Sequence, residues 1–430
     1  RAGADAADAI AVDGIATSID IRAGKLEQAE RSEGVELGLR VLIGQRQACV
    51  SVSDTSDATI AAVAERAVAM AREAPNDPYA GLADPSQLIT TWDMAALQLC
   101  DDTPEVSAAV LEDDARRAEA AAMAVSSITQ VEASAGQSRR QIHLAASNGF
   151  IAGFARSSRS VSAVAFTGSG TGMERDWAAE GRIFAADLPD ASDIGALAAK
   201  RALERIGARK PKTGAFPVIY DERISSGLIG HLLGAVNGAS IARGSSWLRD
   251  ALGTQVLPAG LSVIEDPHRI RTGGSRAFDS EGLPTARRAI VENGILTGWV
   301  LDLATARKLN MQSTGNAARG TSAPPQPGTS NIDLTPGDFS RAELIAQMGT
   351  GLLVTSLIGS SINPTTGDYS RGASGFWVEN GEITYAVNEC TIAGNLREML
   401  MRITAANDAR AHMSTRVPSL LVEGLTLAGE

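Results

Sequence analysis

The sequence predicts an α+β protein, with a helix-rich mixed N-terminal domain (residues 1–208) and a strand-rich C-terminal domain (residues 209–430). Three observations lead to this prediction. A chain of 430 residues is longer than one hydrophobic core usually supports. Segments with apolar residues at every second position alternate with segments that carry them at helical spacing. The polar segment ARKPKTG (208–214) interrupts both patterns and is the best candidate for a domain boundary.

Strands and helices alternate in the predicted N-terminal domain. In GVELGLRVLIG (34–44), apolar side chains fall on every second residue, which is the period of a half-buried strand. Hairpin turns are predicted at 23–24, 44–45 and 148–149. Helices are predicted from an N-cap at Asp57 to Pro75, from about Pro104 to about Val125, and over 190–207.

The predicted C-terminal domain begins with a strand, AFPVIYDE, and a helix containing His231. Hairpins are predicted at the Asn-Gly pairs 293–294 and 380–381. The run GSSINPTTGDYSRGASG (359–375) is interpreted as a long loop, because it is far longer than a hairpin turn. Such loops are often functional, and small residues allow another backbone to approach. A purely structural loop is the alternative.

Composition and charge exclude several classes of function. Hydrophobic residues make up 44% and charged residues 21%, as in soluble globular proteins. The formal net charge of −11 argues against a nucleic-acid partner, because phosphate binding relies on Lys and Arg. No apolar run reaches the roughly 18 residues of a membrane helix. Three cysteines without CxxC spacing favour a reducing compartment, so we predict a cytoplasmic protein that does not bind membranes.

Local motifs alone indicate no catalytic site. His231 has Gly227 and Ala235 at helical spacing instead of a second histidine, so by itself it is interpreted as a core or capping residue. FTGSGTG (166–172) lacks the following helix that a phosphate loop requires. No GxSxG motif is present, and Cys390 has no histidine nearby in sequence.

Several blocks in order, however, resemble the TldD/PmbA family over essentially the whole chain, and within it the PmbA/TldE branch, long labelled "modulator of DNA gyrase". The blocks are RSEGVELGLRVLIGQRQA, GLIGHLLGAVNGASIARGSSWL, FDSEGLPTARRAIVENGILTGWVLD, STGNAARG and NPTTGDYSRGASGFWVENGEI with TIAGNL. The resemblance implies a cytoplasmic bacterial metallopeptidase system. In that system, TldD-type chains bind zinc through an HExxxH helix and a distant Cys. PmbA-type chains share their fold and pair with them.

Aligned on the zinc motif, this chain lacks most of it. If the last histidine of HExxxH falls on His231, the first falls on Ser226 and the glutamate on Gly227. The Cys ligand would fall near 404–407, where this sequence has none. The resemblance therefore implies a C-terminal domain with a degenerate metal-motif helix, no catalytic residues and no metal in this chain. Zinc is expected in a TldD-type partner.

Two functions follow from the resemblance as expectations. The first is a PmbA/TldE-like subunit that completes the chamber of a TldD–TldE zinc peptidase acting on small unfolded polypeptides and peptide precursors. The alternative is a non-enzymatic peptide-binding or regulatory protein, with a homodimer in isolation. Direct binding to DNA or gyrase, the older family label, is disfavoured by the net charge. The residues predicted to bind peptide or line the chamber are His231, Asn363, Asp368, Arg371 and Ser374.

Overall fold

The computed structural model describes residues 2–430, which form two six-stranded sheets, two smaller sheets of five and two strands, and helices packed against them, so the predicted α+β class is confirmed. The helices are α1 (Asp57–Glu73), α2 (Ala108–Met123), α3 (Ala191–Leu203), α4 (Ser226–Ala235), α5 (Gly238–Arg243), α6 (Leu303–Lys308), α7 (Arg341–Met348) and α8 (Leu396–Met401). None of these helices combines the length and apolarity needed to cross a membrane.

The strands of the first half are β1 (Ala6–Arg22), β2 (Lys25–Ile43), β3 (Arg46–Val52), β4 (Ile128–Ala146), β5 (Ile151–Thr167) and β6 (Glu174–Arg182). Those of the second half are β7 (Gly214–Tyr220), β8 (Val263–Glu265), β9 (Arg288–Glu292), β10 (Ile295–Leu296), β11 (Ala317–Ala318), β12 (Gln326–Pro327), β13 (Ile332–Leu334), β14 (Gly351–Ile362), β15 (Asp368–Glu379), β16 (Glu382–Asn395), β17 (Ile403–Ala405), β18 (Thr415–Arg416) and β19 (Leu420–Ala428).

The first sheet is antiparallel, with the order β3-β2-β1-β4-β5-β6. Helices α2 and α3 cover one of its faces, and their contact is made largely of alanine. At Gly195 of α3, a Cβ atom would collide with the carbonyl oxygen of Ala118 in α2. The alanine- and glycine-rich composition thus serves close packing between these two helices.

Two helix boundaries differ from the sequence predictions. The N-cap of α1 is Ser56, whose hydroxyl accepts the Thr59 N–H, and Asp57 is already the first helical residue. Helix α2 begins at Ala108 instead of Pro104. The first difference is one residue, as is common at helix ends. The second is four residues, because Ser107 and not Thr103 is the N-cap of α2.

The second sheet closes on itself. Its order is β16-β15-β14-β7-β19-β17, and an additional pairing of β16 with β19 completes a ring of five strands. Tyr220, Val354 and Trp377 are among the fully buried residues of its main core. Helix α7 packs against a separate apolar cluster of Ile219, Leu353 and neighbouring residues.

The predicted long loop over 359–375 is wrong. Most of this run belongs to β14 and β15, and only a short turn at 363–367 joins them. Gly372 and Gly375 occur within β15 because the sheet is crowded there, whereas Gly359 of β14 has a positive φ. At Gly375, a Cβ would collide with the Leu353 carbonyl, next to a register shift. The small residues that suggested a loop therefore mark irregular strand pairing.

Charged side chains connect the first sheet to the second half of the chain. Asp8 of β1 forms buried ion pairs with both Arg40 of β2 and Arg319. Close by, burial raises the pKa of Glu281 to about 8 and that of Asp279 to about 6. These contacts join the two halves of the chain and do not separate them into independent units. The domain boundary after residue 208 therefore stays a prediction.

Candidate functional site

Helix α4, which carries His231, is positioned by the turn that follows β7. The N–H groups of Ile224 and Ser225 donate to the Asp221 carbonyl at 2.9 Å each. The Ser225 hydroxyl donates to the Val417 carbonyl at 3.1 Å, which ties the start of the helix to the segment before β19. One face of α4 is apolar and packs into the main core through Leu228, Ile229, Leu232 and Ala235.

The opposite face of α4 is made largely of glycine. Gly227, Gly230 and Gly234 are exposed, and a Cβ atom added at any of them would meet no neighbouring atom within 4 Å. Close packing does not explain these glycines, because a side chain would have room at each position. Glycine in a helix also costs roughly 1 kcal/mol relative to alanine. They leave the helix bare enough for a second backbone to approach. His231 follows Gly227 by four residues and therefore lies on this same face.

His231 has one aromatic and one cationic neighbour. Its ring packs edge-to-face on Tyr369 of β15, with ring centroids 5.8 Å apart and planes at 76°. Burial, and then the charge of Arg371, lower the pKa of His231 below its usual value. The imidazole is consequently neutral at pH 7 and offers one donor and one acceptor nitrogen.

Two polar groups beside His231 lack partners within residues 2–430. Half-buried Arg371 of β15 makes no ion pair there, and its buried Nε has no hydrogen-bond partner. Tyr220, at the end of β7, is fully buried. Its hydroxyl lies close enough to Tyr369 to affect the pKa of that phenol, but not in hydrogen-bond geometry. Because buried polar groups are normally satisfied, this cluster has hydrogen-bonding capacity to spare.

Beside this cluster, β14 has an open edge. One side of the strand pairs with β15 along most of its length. The other side pairs with β7 only over Leu352–Val354, because β7 ends at Tyr220 and the chain turns toward α4. The remainder of β14 (355–362) has no strand partner on that side within residues 2–430. Unpaired strand edges of this kind can accept an additional strand.

Of the predicted site residues, Asn363 lies in the turn between β14 and β15, and Asp368 is the first residue of β15. The Asn363 Oδ1 accepts the Thr366 N–H at 3.3 Å. Asp368 accepts the Thr366 hydroxyl at 2.6 Å and the Asn395 side-chain amide at 3.1 Å, and these bonds lower the pKa of Asp368. Their side chains are engaged in shaping the turn.

The structure brings together His231 and Arg371 but not the other predicted residues. Ser374 lies where the pairing of β15 is irregular, opposite Ser356 of β14. The sequence analysis missed Tyr220 and Tyr369. Once 368–379 is recognised as a strand, the spacing of two residues places Tyr369 on the same face as Arg371. This spacing is the sequence signal that could have identified Tyr369.

Three family models match the chain: PmbA/TldA metallopeptidase domain 1 over 7–71, the central domain over 101–206, and the C-terminal domain over 213–429. The chain belongs to the PmbA/TldD family.

Curated relatives in the PmbA/TldD family match the chain over nearly its full length. The metalloprotease PmbA of Escherichia coli O157:H7 is 37% identical over 96% of this chain and 90% of its own. The metalloprotease PmbA homolog of Haemophilus influenzae is 36% identical over 100% of this chain and 93% of its own. At this level of identity and coverage, the whole chain shares the PmbA/TldD architecture.

Solved structures share the fold. A putative modulator of DNA gyrase from Bacteroides thetaiotaomicron superimposes with a TM-score of 0.92 and 26% identity, covering 100% of this chain and 95% of that one. TldE from Thermococcus kodakarensis gives a TM-score of 0.86 at 20% identity, with 99% and 97% covered. The second likeness shows the fold alone.

Proposed function

We propose that this chain is the PmbA/TldE-type subunit of a two-chain zinc metallopeptidase, and that it binds unfolded peptides while a TldD-type partner holds the zinc. One observation carries the proposal. The glycine face of α4 and the open edge of β14 flank a cluster rich in hydrogen-bond donors but poor in metal ligands. Such a site can hold a peptide without cleaving it.

The surroundings of His231 do not suit a zinc ion. Zinc in a peptidase needs three protein ligands, usually with a carboxylate nearby as general base. Here Ser226 and Gly227 occupy the positions of the first histidine and the glutamate. The charged neighbour of His231 is Arg371, whose positive charge already lowers the histidine pKa and would repel a metal cation. We therefore derive no hydrolytic step for this chain.

The position corresponding to the third zinc ligand also supports a degenerate site. The Ala406 N–H donates to the Ser419 carbonyl at 2.9 Å. The Ser419 hydroxyl in turn accepts the Glu222 N–H at 3.1 Å, four residues before α4 begins. Segment 404–407 thus lies near the start of the metal-motif helix, but it contains no cysteine.

The open edge of β14 and the glycine face of α4 support peptide binding. An extended peptide paired with the open edge of β14 would satisfy backbone N–H and C=O groups without regard to its sequence. The glycine face of α4 would allow that peptide to lie close to the helix. The half-buried His231 and Arg371 would supply side-chain donors. Binding of this kind selects for an unfolded backbone, because a folded protein cannot present a free strand.

We also place the protein in the cytoplasm. Cys49, Cys100 and Cys390 are all free thiols, and Cys390 is buried with its sulfur 3.1 Å from the Ala373 carbonyl. Free thiols are characteristic of reducing compartments. Burial raises the pKa of Cys390 to about 11, so this cysteine is not a reactive thiolate at pH 7.

Co-expression with a TldD-type chain tests the proposal. We expect a stable mixed complex that degrades an unfolded polypeptide, whereas this chain alone does not. The matched control replaces both histidines of the partner's HExxxH motif with alanine, which should abolish cleavage but leave the complex intact. Failure of the two chains to associate, together with homodimer formation by this chain, would favour the non-enzymatic regulatory alternative.

A further inference from the structure

We propose that the cavity between α3 and α7 binds a small zwitterion with an apolar side chain, either a free amino acid or a short peptide with free termini. In this site Arg201 binds the ligand carboxylate and Glu222 binds its ammonium group. The cavity measures about 880 Å³, which is within the range of small-molecule sites. Neither His231 nor Arg371 lines it, so this inference does not depend on the proposed function.

Three parts of the chain enclose this cavity. Helix α3 contributes Arg201, the turn between β7 and α4 contributes Glu222, and α7 contributes Ile345. Phe376 of β15 and Ile383 of β16 complete the lining on the side of the second sheet. The cavity therefore lies where the helices of the first half meet the closed sheet. Ligand sites are common where separately packed units of a protein meet.

The walls of the cavity are partly apolar. Ile345 and Phe376 belong to the buried cluster against which α7 packs. Ile383 is 49% exposed, and Leu197 of α3 is 39% exposed, although both are large apolar side chains. An apolar ligand side chain would remove these surfaces from water, which favours binding. The walls thus select for an apolar ligand body.

Two half-buried charges of opposite sign line the cavity without a charged partner among residues 2–430. Arg201 donates one hydrogen bond, to the Trp177 carbonyl at 3.0 Å, and forms no ion pair in this part of the chain. The Glu222 carboxylate accepts no hydrogen bond from the same residues, and only its backbone N–H is engaged. The two side chains do not pair with each other either, so a ligand can reach both.

The remaining charges of the cavity are compensated. Asp221 pairs with Arg223 at 3.1 Å and with Arg341 at 3.0 Å. Lys200 and Glu204 are exposed, so water solvates them. Sheltered arginines without a carboxylate occur elsewhere in the chain, and a lone charge is therefore not the signal. This cavity is singled out because an unpaired, half-buried charge of each sign lines the same space of ligand size.

A zwitterion complements these two groups. The guanidinium of Arg201 presents a planar fork of N–H donors to a carboxylate, and the Glu222 carboxylate accepts hydrogen bonds from an ammonium group. Burial lowers the pKa of Arg201 and raises that of Glu222, so the surroundings disfavour both charged forms. A ligand charge of opposite sign beside each group would offset that cost. A ligand with a single charge would compensate only one of them.

Calorimetry with the full-length chain tests this site. The probes are leucine, leucyl-leucine, leucinamide, which lacks the carboxylate, and N-acetylleucine, which lacks the ammonium group. We expect at least one of the two zwitterions to bind at least about tenfold more tightly than both blocked forms, as for charge-assisted hydrogen bonds. The tighter of the two zwitterions distinguishes a free amino acid from a peptide as the ligand.

Variants assign each end of the ligand to one side chain. Arg201→Gln should reduce the affinity for the zwitterion to that for leucinamide, and Glu222→Gln should reduce it to that for N-acetylleucine. Glu222→Gln keeps the backbone N–H that donates to the Ser419 hydroxyl, so the turn before α4 should persist. Arg66→Gln, at an exposed position of α1, is the matched control and should leave binding unchanged.

Several results would overturn the inference. They are equal affinity for all four probes, no binding by any probe at millimolar concentration, and discrimination against only one of the two blocked forms. A preference for the zwitterion that survives both substitutions would also overturn it. The comparison of the four probes uses the unaltered chain, so it decides the matter even if Arg201→Gln is unstable. Each of these results leaves the proposed peptidase complex intact, since co-expression tests that separately.

Discussion

Replacing Tyr220 with phenylalanine should make the protein more stable. The hydroxyl removed is fully buried and has no partner in hydrogen-bond geometry within residues 2–430. A buried hydroxyl without a partner costs about 1–3 kcal/mol, and the phenylalanine ring keeps the packing of the core. We therefore expect Tyr220→Phe to raise the free energy of unfolding by about 1–2 kcal/mol.

Urea denaturation and thermal melting measure this change. For a folding unit of about 200 residues, a gain of this size corresponds to a rise in Tm of roughly 2–8 °C. Tyr385→Phe is a suitable control, because the Tyr385 ring is only partly buried and packs against the Arg209 guanidinium at 3.8 Å. A loss of stability in Tyr220→Phe would show that its hydroxyl bonds to Tyr369, and would refute the reasoning that the hydroxyl is an unsatisfied buried donor.

Three further variants test other parts of the structure. Burial, and then the charge of Asp279, raise the pKa of Glu281 from 4.5 to about 8, so the folded state holds a proton that the unfolded state releases. Stability should therefore fall between about pH 5 and 8. Glu281→Gln should remove about 3–4 kcal/mol of that fall in denaturation measured across this range, and an unchanged pH profile would contradict it. Asp8→Asn should cost about 3–5 kcal/mol in urea denaturation, because it leaves two buried arginines without their shared partner; a loss below 1 kcal/mol would argue against this. Gly230→Ala should stabilise α4 by about 1 kcal/mol and weaken peptide binding in calorimetry, and unchanged affinity would show that the glycine face does not contact peptide.

Much of the fold could be predicted from periodicity and turn chemistry. The alternating run 34–44 lies almost entirely within β2, and the Asn-Gly pairs 293–294 and 380–381 both form turns with positive φ. The strand before His231 and the helix that carries it were likewise confirmed. Each of these features depends on neighbouring residues alone, and a sequence shows such features directly.

The closed sheet could not be predicted, and it explains the missed site residues. Its ring depends on the pairing of β7 with β14 and with β19, which are both far from β7 in sequence. Glycine and serine within 359–375 suggested a loop, because crowding in an irregular sheet and flexibility in a loop select the same residues. Without that strand, Tyr369 and Arg371 could not be placed on one face. The proximity of Tyr220 to Tyr369 could not be predicted either.

The zinc content of the purified mixed complex tests the central claim most directly. If this chain binds peptide and its TldD-type partner holds the metal, elemental analysis should find one zinc per pair of chains. The Ser226→His variant of this chain should leave that ratio unchanged, because Gly227 and Arg371 still oppose a functional site. Two zinc ions per pair, or stoichiometric zinc and peptidase activity in this chain alone, would contradict the proposal.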